Sequence, residues 1–290
     1  MRPALALPAR AVVYMCVSAA AFAVMYVLAK RLEGYGGFAL VFFRGLGTFL
    51  LALAYLLARG VRVRGNRPAL LFARGATGAA SLTLFFFAIA YVPIAAAVAV
   101  RYLAPLFAIV FALAFLGERV RPAQWVYFAV AFAGVALLQG VDARFTSVGL
   151  ALVLGSAVLG GATFAIIRAL GPGEHPLVIV AYFTGSATLV GALGLVGGPD
   201  AWVRPSPTDW WLLGSLGVVG FVGQVFMTIA MQTADASHVM PLKYMEAVFL
   251  LGLSGSFLGE TYGAWALVGM GLIVAGNLAN VFGRKPEAEG

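Results

Sequence analysis

Six residues carry the chemistry this sequence offers. Arg101 and Tyr102 are neighbours in one apolar run, Lys243 and Tyr244 are neighbours in another, and Arg44 lies inside a third. Glu246 follows Lys243 by three positions, so on a helix the two side chains share a face and can pair. An ionisable group at bilayer depth costs about 2.5 to 3.5 kcal/mol on insertion scales, so such side chains turn toward partners or water. Three cations against one deep carboxylate favour a substrate that bears a carboxylate or phosphate. A zwitterion such as an amino acid would set its cationic part against Glu246, with Tyr102 and Tyr244 adding hydroxyls and aromatic faces. Each residue also has a plainer role. Arg101 and Lys243 can snorkel to the interface, Arg44 can snorkel or tie its helix to a neighbour by buried hydrogen bonds, and Glu246 can serve only as counter-ion to Lys243.

The elements that hold these residues must be membrane helices. The chain has 290 residues, 62% hydrophobic and 10% charged, with a mean hydropathy of +0.99, too little charge to cover a soluble surface. Apolar runs follow one another over 11–32, 37–58, 69–91, 95–116, 123–140, 147–170, 177–196, 209–230, 239–258 and 263–282. At roughly 20 residues per spanning helix they use almost the whole chain, which leaves no room for an extramembrane catalytic domain. The runs lack the strict alternation of barrel strands, so the expected fold is an all-α polytopic membrane protein of ten transmembrane helices. The net charge of +8 comes without a nucleic-acid-binding signature. A single cysteine, Cys16, excludes an internal disulfide and a multi-cysteine metal site. No phosphate loop, zinc spacing or nucleophile triad is present, so neither a cofactor nor a metal is expected.

With the N-terminus inside, twelve Lys and Arg fall in cytoplasmic loops, Arg74 among them, against four outside. That split predicts cytoplasmic termini, with a short tail over 283–290. The segments 11–140 and 147–282 also repeat one another. At an offset of 138, Ser18, Ala19, Lys30 and Leu32 match Ser156, Ala157, Arg168 and Leu170. At an offset of 142, Arg101 and Tyr102 match Lys243 and Tyr244, the Leu-Gly-Glu ending at Glu118 matches the one ending at Glu260, and Gly134 matches Gly276. Each copy holds five helices, an odd number, so the second enters the membrane from the opposite side and the halves are expected to be inverted repeats around a midplane site.

Glu118 and Glu260 end their helices on opposite faces, where a carboxylate opposes the local helix dipole and needs a donor. Capping the following helix or bridging to an Arg is the expectation, with gating as the alternative. Gly214, Gly217, Gly220 and Gly223 recur every three residues, the spacing of close helix packing. Ser18, Ser156, Gln224, Asn277 and Asn280 can bond across helices or line water, and His238 is expected to be structural or solvated, with proton transfer as the alternative.

The stretch 88–119 (AIAYVPIAAAVAVRYLAPLFAIVFALAFLGER) resembles the end of an EamA domain of the drug/metabolite transporter superfamily. The stretch 230–260, with Pro-x-Lys-Tyr-Met-Glu-Ala and Phe-Leu-Gly-Glu, resembles it again. Arg44, the small-residue loop between the third and fourth helices, and the Gly-Glu pairs at Glu118 and Glu260 match the family pattern. The second copy departs from it, because Ala247 stands where Pro105 does in the first and Pro241 comes earlier. The resemblance implies a ten-helix secondary carrier of the inner membrane with cytoplasmic termini and a central cavity. Family substrates range over amino acids, nucleotide sugars, organic cations and other metabolites, and Pro105, Pro241, Glu118 and Glu260 would have structural or gating roles.

These signals join in a secondary transporter that moves a small polar metabolite, an amino acid or other carboxylate-bearing solute, outward or in exchange by alternating access. Its partners would be the lipid bilayer, the small-molecule substrate and, for coupling, a proton carried by Glu246 or a counter-substrate; no nucleic acid is expected. A channel or a lipid scramblase remains as an alternative that needs no closed midplane site. An integral-membrane enzyme would need clustered His or carboxylates, which two separated histidines do not supply.

Overall fold

The computed structural model describes residues 9–116, 146–170, 173–197, 204–233, 243 and 245–282, with Trp125, Val126, Ala129, Val130, Ala133, Gly134 and Leu137. Among these residues all regular structure is helical. The helices are α1 Ala9–Arg31, α2 Gly37–Ala58, α3 Pro68–Ala88, α4 Ile94–Arg101, α5 Ala104–Leu116, α6 Ser147–Leu170, α7 Pro176–Gly197, α8 Pro207–Thr233, α9 Met245–Leu258 and α10 Ala264–Phe282. The seven described residues between 125 and 137 are helical too. Pro68, Pro176 and Pro207 open their helices, where a missing N–H leaves no bond unmade and the fixed φ suits the first turn. Among the described residues, α1, α2, α3, α6, α7 and α8 are each long and apolar enough to cross a membrane.

Lipid is as apolar as these helices, so close approach and interhelical hydrogen bonds hold them together. α2 packs along α7 and α8, α1 along α8 and α9, and α3 along α6 and α7. Glycine makes the crossings possible: a Cβ on Gly217 of α8 would stand 2.7 Å from the Cα of Gly47 on α2. Gly220 faces Thr48, Arg44 and Met25, and Gly223 faces the ring of Phe22, while Gly214 opens onto empty space. The glycine stripe of α8 therefore packs at Gly217, Gly220 and Gly223 and not at Gly214. Ser18 of α1 donates to the Gly223 carbonyl at 2.8 Å, and Ser156 of α6 donates to the Ser81 carbonyl of α3 at 2.8 Å.

Polar residues tie the helix ends into two groups. At one end Arg31 donates to the Phe257 carbonyl at 2.9 Å, and the Tyr35 hydroxyl donates to Asp209 at 2.5 Å, which raises the phenol above its ordinary pKa. Asp209 also forms a capping box with Ser206, whose hydroxyl donates to it at 2.6 Å and accepts its N–H at 3.2 Å. At the other end Glu174 accepts the N–H groups of Asn66 and Arg67, each at 2.6 Å, and Arg67 reaches the Ala169 carbonyl at 2.7 Å. The C-terminus of α1 thus lies at the first end and that of α6 at the second, so the two helices run in opposite senses.

Candidate functional site

Pro105 has no N–H to offer the Arg101 carbonyl four residues back. The fourth apolar run, expected as one helix over 95–116, accordingly breaks: α4 stops at Arg101, Tyr102 and Leu103 form a turn, and α5 begins at Ala104. Arg101 is left at the C-terminus of a half-helix, the end whose dipole favours a cation. Its Nη1 donates to the Tyr26 hydroxyl at 3.0 Å, and its guanidinium lies 4.8 Å from the centre of the Phe85 ring. Both partners are buried, so Arg101 points into the bundle rather than to the interface.

Lys243 and Glu246 pair as their spacing predicts, with Nζ and Oε2 at 3.5 Å. Lys243 also lies over the Phe22 ring at 5.1 Å. Glu246 is 1% exposed, and Arg101 and the buried Tyr102 face it alongside Lys243. Tyr26 stands at the centre of this group, bonded to Arg101 and within electrostatic reach of Glu246 and Arg44. Arg44 is 3% exposed, donates from Nε to the Met25 sulfur at 3.2 Å, and lies over the Phe183 ring. Arg44 is seven residues into α2 and Arg101 seven into α4, so both lie about 10 Å from the same end of the bundle.

Two assignments are corrected by the geometry. Arg74, counted above with the cytoplasmic loop charges, is buried inside α3, six residues or about 9 Å from its start, with its guanidinium also over Phe183. Glu260 does not cap the helix that follows it. Gly259 takes a left-handed φ of 65°, which closes α9 and lets the Glu260 N–H reach the Ser254 carbonyl at 3.3 Å. The carboxylate then accepts the N–H of Ile94, at the positive end of α4, at 3.3 Å, and also accepts the Tyr262 hydroxyl. Glu118, Pro241, Tyr244 and His238 lie outside the described residues.

The structure therefore brings Arg101, Tyr102, Lys243, Glu246 and Arg44 into one interior region and adds Tyr26, Phe85, Phe183 and Arg74. The signal for Arg74 was its place inside an apolar run, flanked by Gly75, Gly78 and Ala79 as on a packed helix face. Among the described residues no three His, Cys, Asp or Glu side chains gather to hold a metal.

Membrane-length helices around a charged, aromatic interior define a polytopic membrane protein. Residues 9–139 and again 147–282 match the EamA-like transporter family, and the chain belongs to that family, within the drug/metabolite transporter superfamily. It is a transporter rather than an enzyme. The pseudopaline exporter CntI of Pseudomonas aeruginosa is 35% identical over 263 residues, covering 89% of this chain and 91% of that protein. A riboflavin transporter of Rhizobium johnstonii is 28% identical over 281 residues, covering 93% and 91%. A crystal structure 22% identical in sequence shares the fold with a TM-score of 0.69, over 97% of this chain and 99% of its own.

Proposed function

We propose that this protein carries a small carboxylate-bearing metabolite, an amino acid or related solute, across the inner membrane by alternating access, as export or exchange. The observation that carries the reading is the buried Glu246, held between Lys243 at 3.5 Å and the Arg101 side, where helix four is broken. A substrate carboxylate competes for Arg101 and Lys243 while its cationic part takes Glu246 from Lys243. An architecture of ten spans, two inverted five-helix repeats and cytoplasmic termini is supported by the opposite senses of α1 and α6 and by the positive-inside distribution of Arg and Lys. Outward movement is supported by the relative named as an exporter.

The test is counterflow in proteoliposomes. Vesicles preloaded with unlabelled amino acids should accumulate labelled ones saturably, and Arg101→Ala and Lys243→Ala should each remove that flux while the purified variants stay folded in detergent. Unsaturable flux without counterflow would favour a channel or scramblase. Unchanged kinetics in both variants would overturn the charged cavity.

A further inference from the structure

Two guanidinium groups converge on one phenyl ring from neighbouring helices. The Arg44 carbon Cζ, from α2, lies 5.2 Å from the Phe183 ring centre, and that of Arg74, from α3, lies 4.6 Å from it. Arg44 is 3% exposed and Arg74 4%. Nη1 of Arg44 and both Nε and Nη1 of Arg74 are buried without a hydrogen-bond acceptor. Among the described residues no carboxylate lies within ion-pair distance of either group.

Buried donors without acceptors are rare in native proteins, and charged ones rarer. The ring face attracts a cation but does not replace its hydration, and here two like charges share one ring. The packing keeps room for the pair rather than squeezing it out. A Cβ at Gly78 would run into Nη1 of Arg74 and stand 2.7 Å from the Phe183 ring. Water would satisfy the donors and leave both charges unopposed. A carboxylate does both, because its two oxygens match the guanidinium fork. Away from the ends of the bundle, the described spans set Arg44, Arg74, Arg101 and Lys243 against Glu246, an excess of three positive charges, while the buried Glu174 holds backbone N–H groups at one of those ends.

We infer that Arg44 and Arg74 form a second anion subsite beside Phe183, so that the transported solute bears at least two carboxylates, one for this pair and one for Arg101 and Lys243. The inference rests on the carboxylate reading of the central site and names its substrate class more closely.

The test is the thermal stability of the purified full-length protein in detergent, at neutral pH and fixed ionic strength, with butyrate, glutarate and tricarballylate as probes of one, two and three carboxylates. A ligand bound only by the folded state stabilises it by RT ln(1 + c/Kd) at free concentration c, so at one fixed concentration the tighter probe gives the larger rise in unfolding temperature. Glutarate and tricarballylate should bind at least about tenfold more tightly than butyrate. Arg74→Gln should erase that gain and leave the butyrate shift, whereas Arg101→Gln should remove the butyrate shift. If Arg74→Gln does not fold, Arg44→Gln and the comparison of probes on the unaltered protein carry the test. Equal shifts for all three probes, with butyrate lost in Arg101→Gln, would overturn the second subsite and leave the first standing. A glutarate gain that vanishes in Arg74→Gln but ignores Arg101→Gln would keep the second subsite and overturn the role given to Arg101. No shift with any probe would overturn both.

Discussion

The hydroxyl of Ser156 donates to the backbone carbonyl of Ser81 at 2.8 Å. Ser18 makes the same bond to Gly223, also at 2.8 Å, and the two bonds are related by the repeat: Ser156 follows Ser18 by 138 positions and Gly223 follows Ser81 by 142. Each half lends its first helix to the third helix of the other. Hydrogen bonds between membrane helices average about 0.6 kcal/mol and reach about 1.7. Ser18→Ala and Ser156→Ala should each lower stability by about 1 kcal/mol, and the double variant should equal their sum to within about 0.5 kcal/mol. Equilibrium unfolding in mixed micelles measures all three, and a strong departure from additivity would mean the two clasps are not independent.

At the crossing of α2 and α8 the contact is backbone on backbone. Gly217→Ala should therefore cost about 1 to 3 kcal/mol by overpacking, while Gly214→Ala, with nothing within 4 Å, should be neutral or slightly stabilising. Size-exclusion profiles and melting temperatures of the two variants separate these outcomes, and equal behaviour would contradict the crossing.

Pro105→Ala restores the missing N–H, and α4 and α5 should then fuse through Tyr102 and Leu103. Pro105 sits in the first turn of α5, where proline costs little, so the variant's stability should change little while amide exchange over 102–107 slows. Its counterflow should fall, because Arg101 would leave the end of its half-helix. Unchanged exchange over those residues would show that something other than the proline holds the break.

Glu260→Ala uncaps α4 and should lower stability by about 1 kcal/mol, whereas Glu260→Gln keeps an acceptor for the Ile94 N–H and should lose less. Melting temperatures would rank the three proteins, and a larger loss in Gln than in Ala would exclude capping as the role.

How far the site could be read in advance depended on the physics each residue answers to. Lys243 and Glu246 were legible because a spacing of three on a helix fixes their meeting without reference to any other element. The packing of α8 was legible at Gly217, Gly220 and Gly223 and not at Gly214, since spacing names a face but not where a neighbour ends. Arg74 was misplaced because counting charges by loop treats a residue near a helix start as solvated. What buries it is Phe183 and the approach of α7, both distant in sequence. The partner of Glu260 was hidden for the same reason: a local dipole argument says a donor is needed and cannot say that it comes from Ile94, in the other half of the chain. Hydropathy likewise sums over the fourth run and passes across its break.

Arg74 has no twin. The position 142 residues further on is Leu216, fully buried between its neighbours. Were the two halves identical, an empty carrier would dwell equally long with either mouth open. On the alternating-access reading, an unmatched charge such as Arg74 would break that parity, and a bias of only about 1.4 kcal/mol would fill one pose ten times as often as the other. An anion seated on Arg74 would then shift the balance between the two poses only as far as it binds one of them more tightly than the other.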